Sequence, residues 1–190
     1  MERHILARAG MWLAAIVAAT MLQAPAVQAQ EFSQIMQGYK IAPVDLNLKG
    51  KDWALVGLGS YLVNTTGCND CHTQPNWAPN RNPYLGQKEQ INPAQYLSGG
   101  RFFATDATVD PPVPICSANI TPDKKGMPAG LKLPQFLKVM HTGYDPDDPK
   151  RLLKVMPWPL YQWKTDLDLR AMYEYLRAIP SLPDNPCPVP

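Results

Sequence analysis

Cys68-Asn69-Asp70-Cys71-His72 is the stretch on which the reading of this chain turns. Two thiols two residues apart, followed at once by an imidazole, form the C-x-x-C-H pattern of covalent haem attachment. Each residue type has its own task. The thiols of Cys68 and Cys71 add across the porphyrin's vinyl groups as thioethers, and His72 becomes the proximal iron ligand. The spacing gives a short turn that presents both sulfurs to one side of the porphyrin and puts His72 under the iron. Three other readings compete. A thioredoxin-type pair normally opens a helix after a strand, and no strand pattern precedes Cys68. A zinc site needs a second Cys/His pair, whereas Cys116, Cys187 and His141 stand isolated in sequence. A plain Cys68–Cys71 disulfide would leave His72 without a reason.

The N-terminus agrees with haem attachment. Arg3 and Arg8 form a basic start, residues 11–22 form an apolar run, and Val27-Gln28-Ala29 offers small residues for cleavage. This reads as a secretory signal peptide over residues 1–29, its apolar run about half of what a bilayer span requires. Covalent haem is attached outside the bacterial cytoplasm, so the expected location is the periplasm. No later run approaches membrane length, and no transmembrane segment is expected in the mature chain. The formal charge of +2 becomes +1 once Arg3, Arg8 and Glu2 are removed with the leader. Such near-neutrality argues against nucleic-acid partners and against anionic headgroups.

Four regions follow: the leader, an N-terminal arm over 30–51 taken as extended, a domain over 52–179, and a Pro-rich tail over 180–190. Twenty-one prolines and twelve glycines imply short helices and long loops. Alternating β-branched runs hardly occur. Three helices are predicted. One covers about Asp52 to Asn64, where Gly57 and Gly59 are poor helix formers and so point to a close helix contact. Another covers about Leu133 to Thr142, with Leu133, Phe136, Leu137 and Met140 at i, i+3, i+4, i+7 spacing. The last follows the Thr165/Asp168 N-cap signal, with Leu169, Met172, Tyr173 and Leu176 as its stripe. The first and last are expected to cross at one edge of the haem pocket. Cys116 and Cys187, left over in an oxidising compartment, are expected to pair and pin the tail to the loop before Asn119.

An electron carrier needs a second axial ligand. Met36 lies on the arm, while Met140 and Met172 sit on core stripes. Met127 and Met156 remain, each followed by proline. Met156-Pro157-Trp158-Pro159 is the stiffer run, because proline fixes its own φ and restricts the preceding residue. Met156 is therefore the expected ligand, with Met127 and His141 as alternatives.

Together these pieces resemble a class I monohaem c-type cytochrome. In particular the chain is similar to the cytochrome domains associated with periplasmic alcohol and aldehyde dehydrogenases. Tyr61-Leu62, Cys68 to His72, Gly99-Gly100, Asn119-Ile120-Thr121-Pro122-Asp123, Thr142-Gly143, Met156-Pro157-Trp158-Pro159, and Thr165-Asp166 through Tyr175-Leu176 carry the resemblance, over most of residues 52 to 179. It implies a small all-α, cytochrome c-like fold around one covalent haem c, with long Pro-rich loops. It also implies His72 and Met156 as axial ligands, and single-electron transfer without bond chemistry on a substrate. The implied partners are a periplasmic dehydrogenase as donor and a respiratory acceptor. The chain departs from the family at His141, where arginine is usual, and in a longer segment from Gln74 to Tyr96. That segment is expected to form an added loop over the haem edge, with Trp77 and Tyr84 packing. Two rival classes keep an open or displaceable sixth position: a peroxidase-like haem enzyme and a gas-binding haem sensor.

Overall fold

The computed structural model describes residues 28–108 and 111–188. The signal-peptide reading therefore lies outside the described residues, apart from 28 and 29. Two compact units divide the chain, residues 1–34 and residues 35–190. Of the first, residues 28–34 are described and are helical.

The second unit opens with helical residues 35–41 (α1) where an extended arm was expected. Burial explains the difference. Ile35 is buried with Leu58 and Ala171, and Tyr39, Ala42, Val44 and Leu46 pack on the core. Ser60 Oγ donates to the Gly38 carbonyl at 2.7 Å, which ties this turn to the next helix. The compact unit thus takes in residues 35–51 as well as the tail.

Helix α2 runs from Trp53 to Thr65 and begins where Asp52 Oδ1 accepts from Ala54 N at 2.9 Å and Leu55 N at 3.3 Å. Helix α6, Asp166–Leu176, is capped reciprocally. Thr165 Oγ1 accepts from Asp168 N, and Asp168 Oδ2 accepts from Thr165 N, both at 3.1 Å. These two helices cross as expected. At the crossing, a Cβ on Gly59 would overlap the Ala171 carbonyl, so only glycine lets the backbones approach. Val56, Val63, Leu169, Met172 and Leu176 are buried there, each worth roughly 1.5–3 kcal/mol of transfer from water. One polar ring sits inside this core. Tyr96 Oη donates to Asn64 Oδ1 at 2.6 Å, Tyr175 Oη lies 2.9 Å from Tyr96 Oη, and Asn64 Nδ2 donates to Tyr175 Oη at 3.3 Å. The ring satisfies all three groups, and burial raises both phenols above their ordinary range.

Helix α3 is the single turn Cys68–His72. Helix α4 spans Leu133–Thr142, and a short α5 covers Trp158–Tyr161 directly after the Met-Pro run. The expectation of an all-α fold is corrected by an antiparallel ribbon of β1, Phe102–Asp106, and β2, Val113–Cys116. Its register pairs Phe102 with Cys116 and Asp106 with Val113, with a bulge between Phe102 and Ala104. Strands of five and four residues, one holding a proline, carry too little alternation to be read from sequence. The fold is nonetheless mostly helical.

Candidate haem-binding site

The Cys-Asn-Asp-Cys-His turn sits where α2 ends, and the chain enters it through Gly67 in the left-handed region (φ 82°). Buried Asn69 and Thr73 anchor it from below. Thr73 Oγ1 accepts from Leu97 N at 3.0 Å, and the His72 carbonyl accepts from Gly99 N at 2.7 Å. Cys68, Cys71 and His72 all line one cavity of about 390 Å3, within the ordinary range for ligand pockets. Its other walls are mostly apolar: Val63 of α2, Phe136 and Met140 of α4, Met172 of α6, and Ile120 and Pro128 of the intervening loop.

Cys68 and Cys71 are free thiols, so no disulfide closes the motif. Burial pushes the Cys68 thiol up to about 11, with the Thr66 hydroxyl (3.9 Å from the sulfur) pulling the other way. Burial also raises Cys71, against the charge of Arg101. Both keep their S–H proton at neutral pH. His72 Nδ1 lies 2.7 Å from the Ala118 carbonyl, which only accepts, so Nδ1 carries the proton. Burial lowers the imidazole from its ordinary value, so Nε2 keeps the lone pair that a metal requires.

Met156 lines the same cavity, half-buried against the core. Its loop is held at several points. Leu153 N donates to the Gly143 carbonyl at 2.8 Å, and Trp158 N donates to Met156's own carbonyl at 2.8 Å. Lys154 Nζ bonds Asp106 Oδ2 at 2.7 Å, clasping the loop to the end of β1. That ammonium and the Thr108 hydroxyl hold the Asp106 carboxyl down at about 2. Trp158 packs over Gly143, where a Cβ would meet the indole ring, so Thr142-Gly143 and Met156-Pro157-Trp158 belong to one contact.

Met127 and His141 do not line this cavity. Met127 is turned into a tight loop, its N–H bonded to Asp123 Oδ1 at 2.8 Å, and it does not line the cavity. Met140 and Met172 do line it, from core positions on α4 and α6. His141 also stays out of it. Its Nδ1 donates to the Gln162 carbonyl at 3.0 Å and its Nε2 donates to Asp166 Oδ1 at 2.9 Å, which requires the charged imidazolium. Asp166 accordingly raises its pKa. The added segment lies beside α3. Trp77 and Tyr84 meet edge to face at 6.3 Å and, with Asp70, line an open cleft. Sequence reasoning missed the Ala118 carbonyl, the Lys154–Asp106 clasp, and the hairpin wall of Phe103 and Ile115. All are tertiary contacts of residues that have no local pattern.

A thiol pair and an imidazole on one turn, facing an apolar cavity in a mainly helical unit, place the chain with a class. It is similar to the cytochrome c subunits of dehydrogenases, as the motifs implied. Three such subunits match it. The cytochrome c subunit of the quinone alcohol dehydrogenase of Gluconobacter oxydans is 27% identical over 75% of this chain and 27% of its own length. The fructose dehydrogenase cytochrome subunit of Gluconobacter japonicus is 29% identical over 70% of this chain and 23% of its own. The gluconate 2-dehydrogenase cytochrome c subunit of Pantoea cypripedii is 28% identical over 64% and 22%. The chain thus spans about a quarter of the length of these curated relatives. No family model and no solved structure matches it.

Proposed function

We propose that this chain is a periplasmic single-electron carrier holding one covalent haem c. It would take electrons from a dehydrogenase and pass them to a respiratory acceptor. The carrying observation is the convergence of free Cys68 and Cys71, a neutral His72 and a loop-borne Met156 on one apolar cavity. That donor set fits the group: two thiols for thioethers, an imidazole nitrogen and a soft thioether for iron. When bound, the haem supplies a reversible one-electron couple. The protein's own part is to hold His72 in one tautomer through Ala118, to keep Met156 in place through its prolines and the Lys154–Asp106 clasp, and to exclude water with apolar walls. Low polarity around the site disfavours the extra positive charge of the oxidised state, and thioether ligation acts in the same direction.

Electron exchange between proteins uses small transient contacts, typically below about 1,200 Å2. Leu160 and Trp163, 72% and 82% exposed on either side of the cavity-lining Tyr161, offer apolar surface for one. The names of the matched relatives favour a dehydrogenase as the donor.

Absorption spectroscopy of the purified protein tests the reading. The oxidised wild type should show the weak long-wavelength iron–sulfur band, and Met156→Ala should abolish it and lower the reduction potential. A high-spin wild-type spectrum would overturn the carrier role. An unchanged spectrum in Met156→Ala would move the ligand to another residue.

A further inference from the structure

No described residue of the C-terminal tail lines the cavity, yet the tail is built closely around one atom of its wall. That atom is the Ala118 carbonyl oxygen, the acceptor for His72 Nδ1. Cys187 is bonded to Cys116, two residues before Ala118. Asn119, the next residue after it, uses its whole side chain. Its Nδ2 donates to the Leu182 carbonyl at 2.9 Å and to Asp184 Oδ1 at 3.1 Å. Its Oδ1 accepts from Thr121 N at 2.9 Å and Thr121 Oγ1 at 2.7 Å. Leu182 N in turn donates to Thr121 Oγ1 at 3.1 Å.

A second layer lies behind the first. Gly99 has a positive φ of 80°, and a Cβ there would sit 2.7 Å from the Ala118 carbonyl carbon and 2.8 Å from its oxygen. Gly100 would meet Asn185 in the same way, at 2.8 Å. Asn185 N donates to the Ser98 carbonyl at 3.1 Å, and Asn185 Nδ2 donates to the Gly99 carbonyl at 3.2 Å. Gly99 N, as noted, holds the His72 carbonyl. The tail therefore grips both layers that touch His72, one through its backbone and one through its ring.

Resting on the haem reading of this site, we propose that residues 180–188 are a strap that positions the proximal ligand. The Cys116–Cys187 bond, Asn119 and Asn185 hold the Ala118 carbonyl on His72 Nδ1 and so set how strongly His72 donates to iron. Proline at 180, 183, 186 and 188 removes backbone freedom that a strap would otherwise have to lose. A carbonyl accepting from the far ring nitrogen raises the basicity of a histidine ligand, and changes at such partners typically alter metal-site properties about 10-fold or more. Slackening the strap makes His72 a weaker donor and favours the ferrous state. Asn119, Asn185 and the disulfide are positioning groups, acting on His72 through Ala118.

The experiment uses the full-length holoprotein. Covalent haem is first established on the wild type by mass. A wild-type protein without it overturns the haem reading, and the strap falls with it. Two variants are then compared, Asn119→Ala, which keeps the disulfide, and Cys116→Ala with Cys187→Ala, which removes it. In the ferrous protein, solvent exchange of the His72 Nδ1 proton, followed by NMR, should quicken at least about tenfold. The one-electron equilibrium should move about tenfold toward the ferrous form, a rise of about 59 mV, with both axial ligands retained. Tyr175→Phe, which weakens the core without touching the strap, should move neither readout. Should a variant fail to mature, reducing the disulfide in the ferrous wild type gives the same two readouts. Unchanged exchange and potential in a haem-loaded Asn119→Ala protein, or equal shifts in Tyr175→Phe, would overturn the strap.

Discussion

The two sides of the cavity are held by different physics. On the helical side, α2 and α6 are self-supporting through their own backbone bonds and caps, and they meet through buried aliphatic surface at a glycine. On the other side, the short ribbon of β1 and β2 is the regular structure among residues 97–108 and 111–121, and residues 180–188 are loop. There the links join positions far apart in sequence: 46 residues separate His72 from Ala118, and 63 separate Asn119 from Leu182. Non-local links cost loop-closure entropy that local helical bonds do not. The disulfide shortens that search for the loop side. The helical side therefore supplies most of the burial, while the loop side supplies the geometry of His72.

Removing the crosslink is the largest way to break this contrast. With Cys116 and Cys187 71 positions apart, the chain-entropy relation gives about 4 kcal/mol of stability. Replacing both with alanine should lower the unfolding free energy extrapolated to water by that amount and move the urea midpoint down with it. It should also raise the denaturant slope, since the freed unfolded chain exposes more surface. An unchanged slope would place the effect in the folded state instead. Gly59→Ala is the counterpart on the helical side, at about 3 kcal/mol from overpacking against the Ala171 carbonyl. Its slope should stay put. Retention of wild-type stability by Gly59→Ala would show that the crossing has slack.

How much could be read in advance follows the same division. The helical side was legible: the Thr165/Asp168 cap, the Leu133–Thr142 stripe and the close contact at Gly59 each leave a pattern of spacing or residue type. The Cys68–His72 turn stands out in the sequence through its fixed residue spacing, and the structure places its three side chains on one cavity. Residues 35–41 were misjudged as extended because their helix is stabilised by burial of Ile35 and Tyr39 against α2 and not by any cap signal. The hairpin escaped because Val113-Pro114-Ile115-Cys116 is short and irregular. The Ala118 carbonyl could not be found at all. A backbone atom has no letter in the sequence, and only folding brings it to His72.

Within the helical side, the Tyr96–Asn64–Tyr175 ring tests whether polar order adds to apolar packing. Tyr96→Phe leaves a half-buried Asn64 acceptor and a buried Tyr175 hydroxyl without their partner, at a cost of about 1–2 kcal/mol. Asn64→Leu with Tyr96→Phe removes donor and acceptor together, and should recover part of the loss if an unpaired group is its cause. Additive losses in the double variant would mean that packing volume, not hydrogen bonding, governs the ring.

The smallest effect lies within the helical side, at the turn between α5 and α6. His141, at the end of α4, donates to both the Gln162 carbonyl and Asp166, so it pins the turn between α5 and α6 only while it is charged. Asp166 raises its pKa above the ordinary 6.5, with the Gln162 carbonyl adding to it. A raised histidine contributes its full stability below pH 6.5, where it is protonated both folded and unfolded. That contribution disappears as pH rises through the higher folded value. The His141 side chain is about a third exposed (32%), and salt screens such a pair, so the loss should be about 0.5 kcal/mol. The difference in denaturation midpoint between wild type and His141→Gln should therefore narrow from pH 5.5 to pH 8.5, and do so less at high salt. A difference that widened with pH would mean that neutral His141 is the stabilising form. It would also mean that the turn between α5 and α6 is held by something other than a charged His141 donating to Gln162 and Asp166.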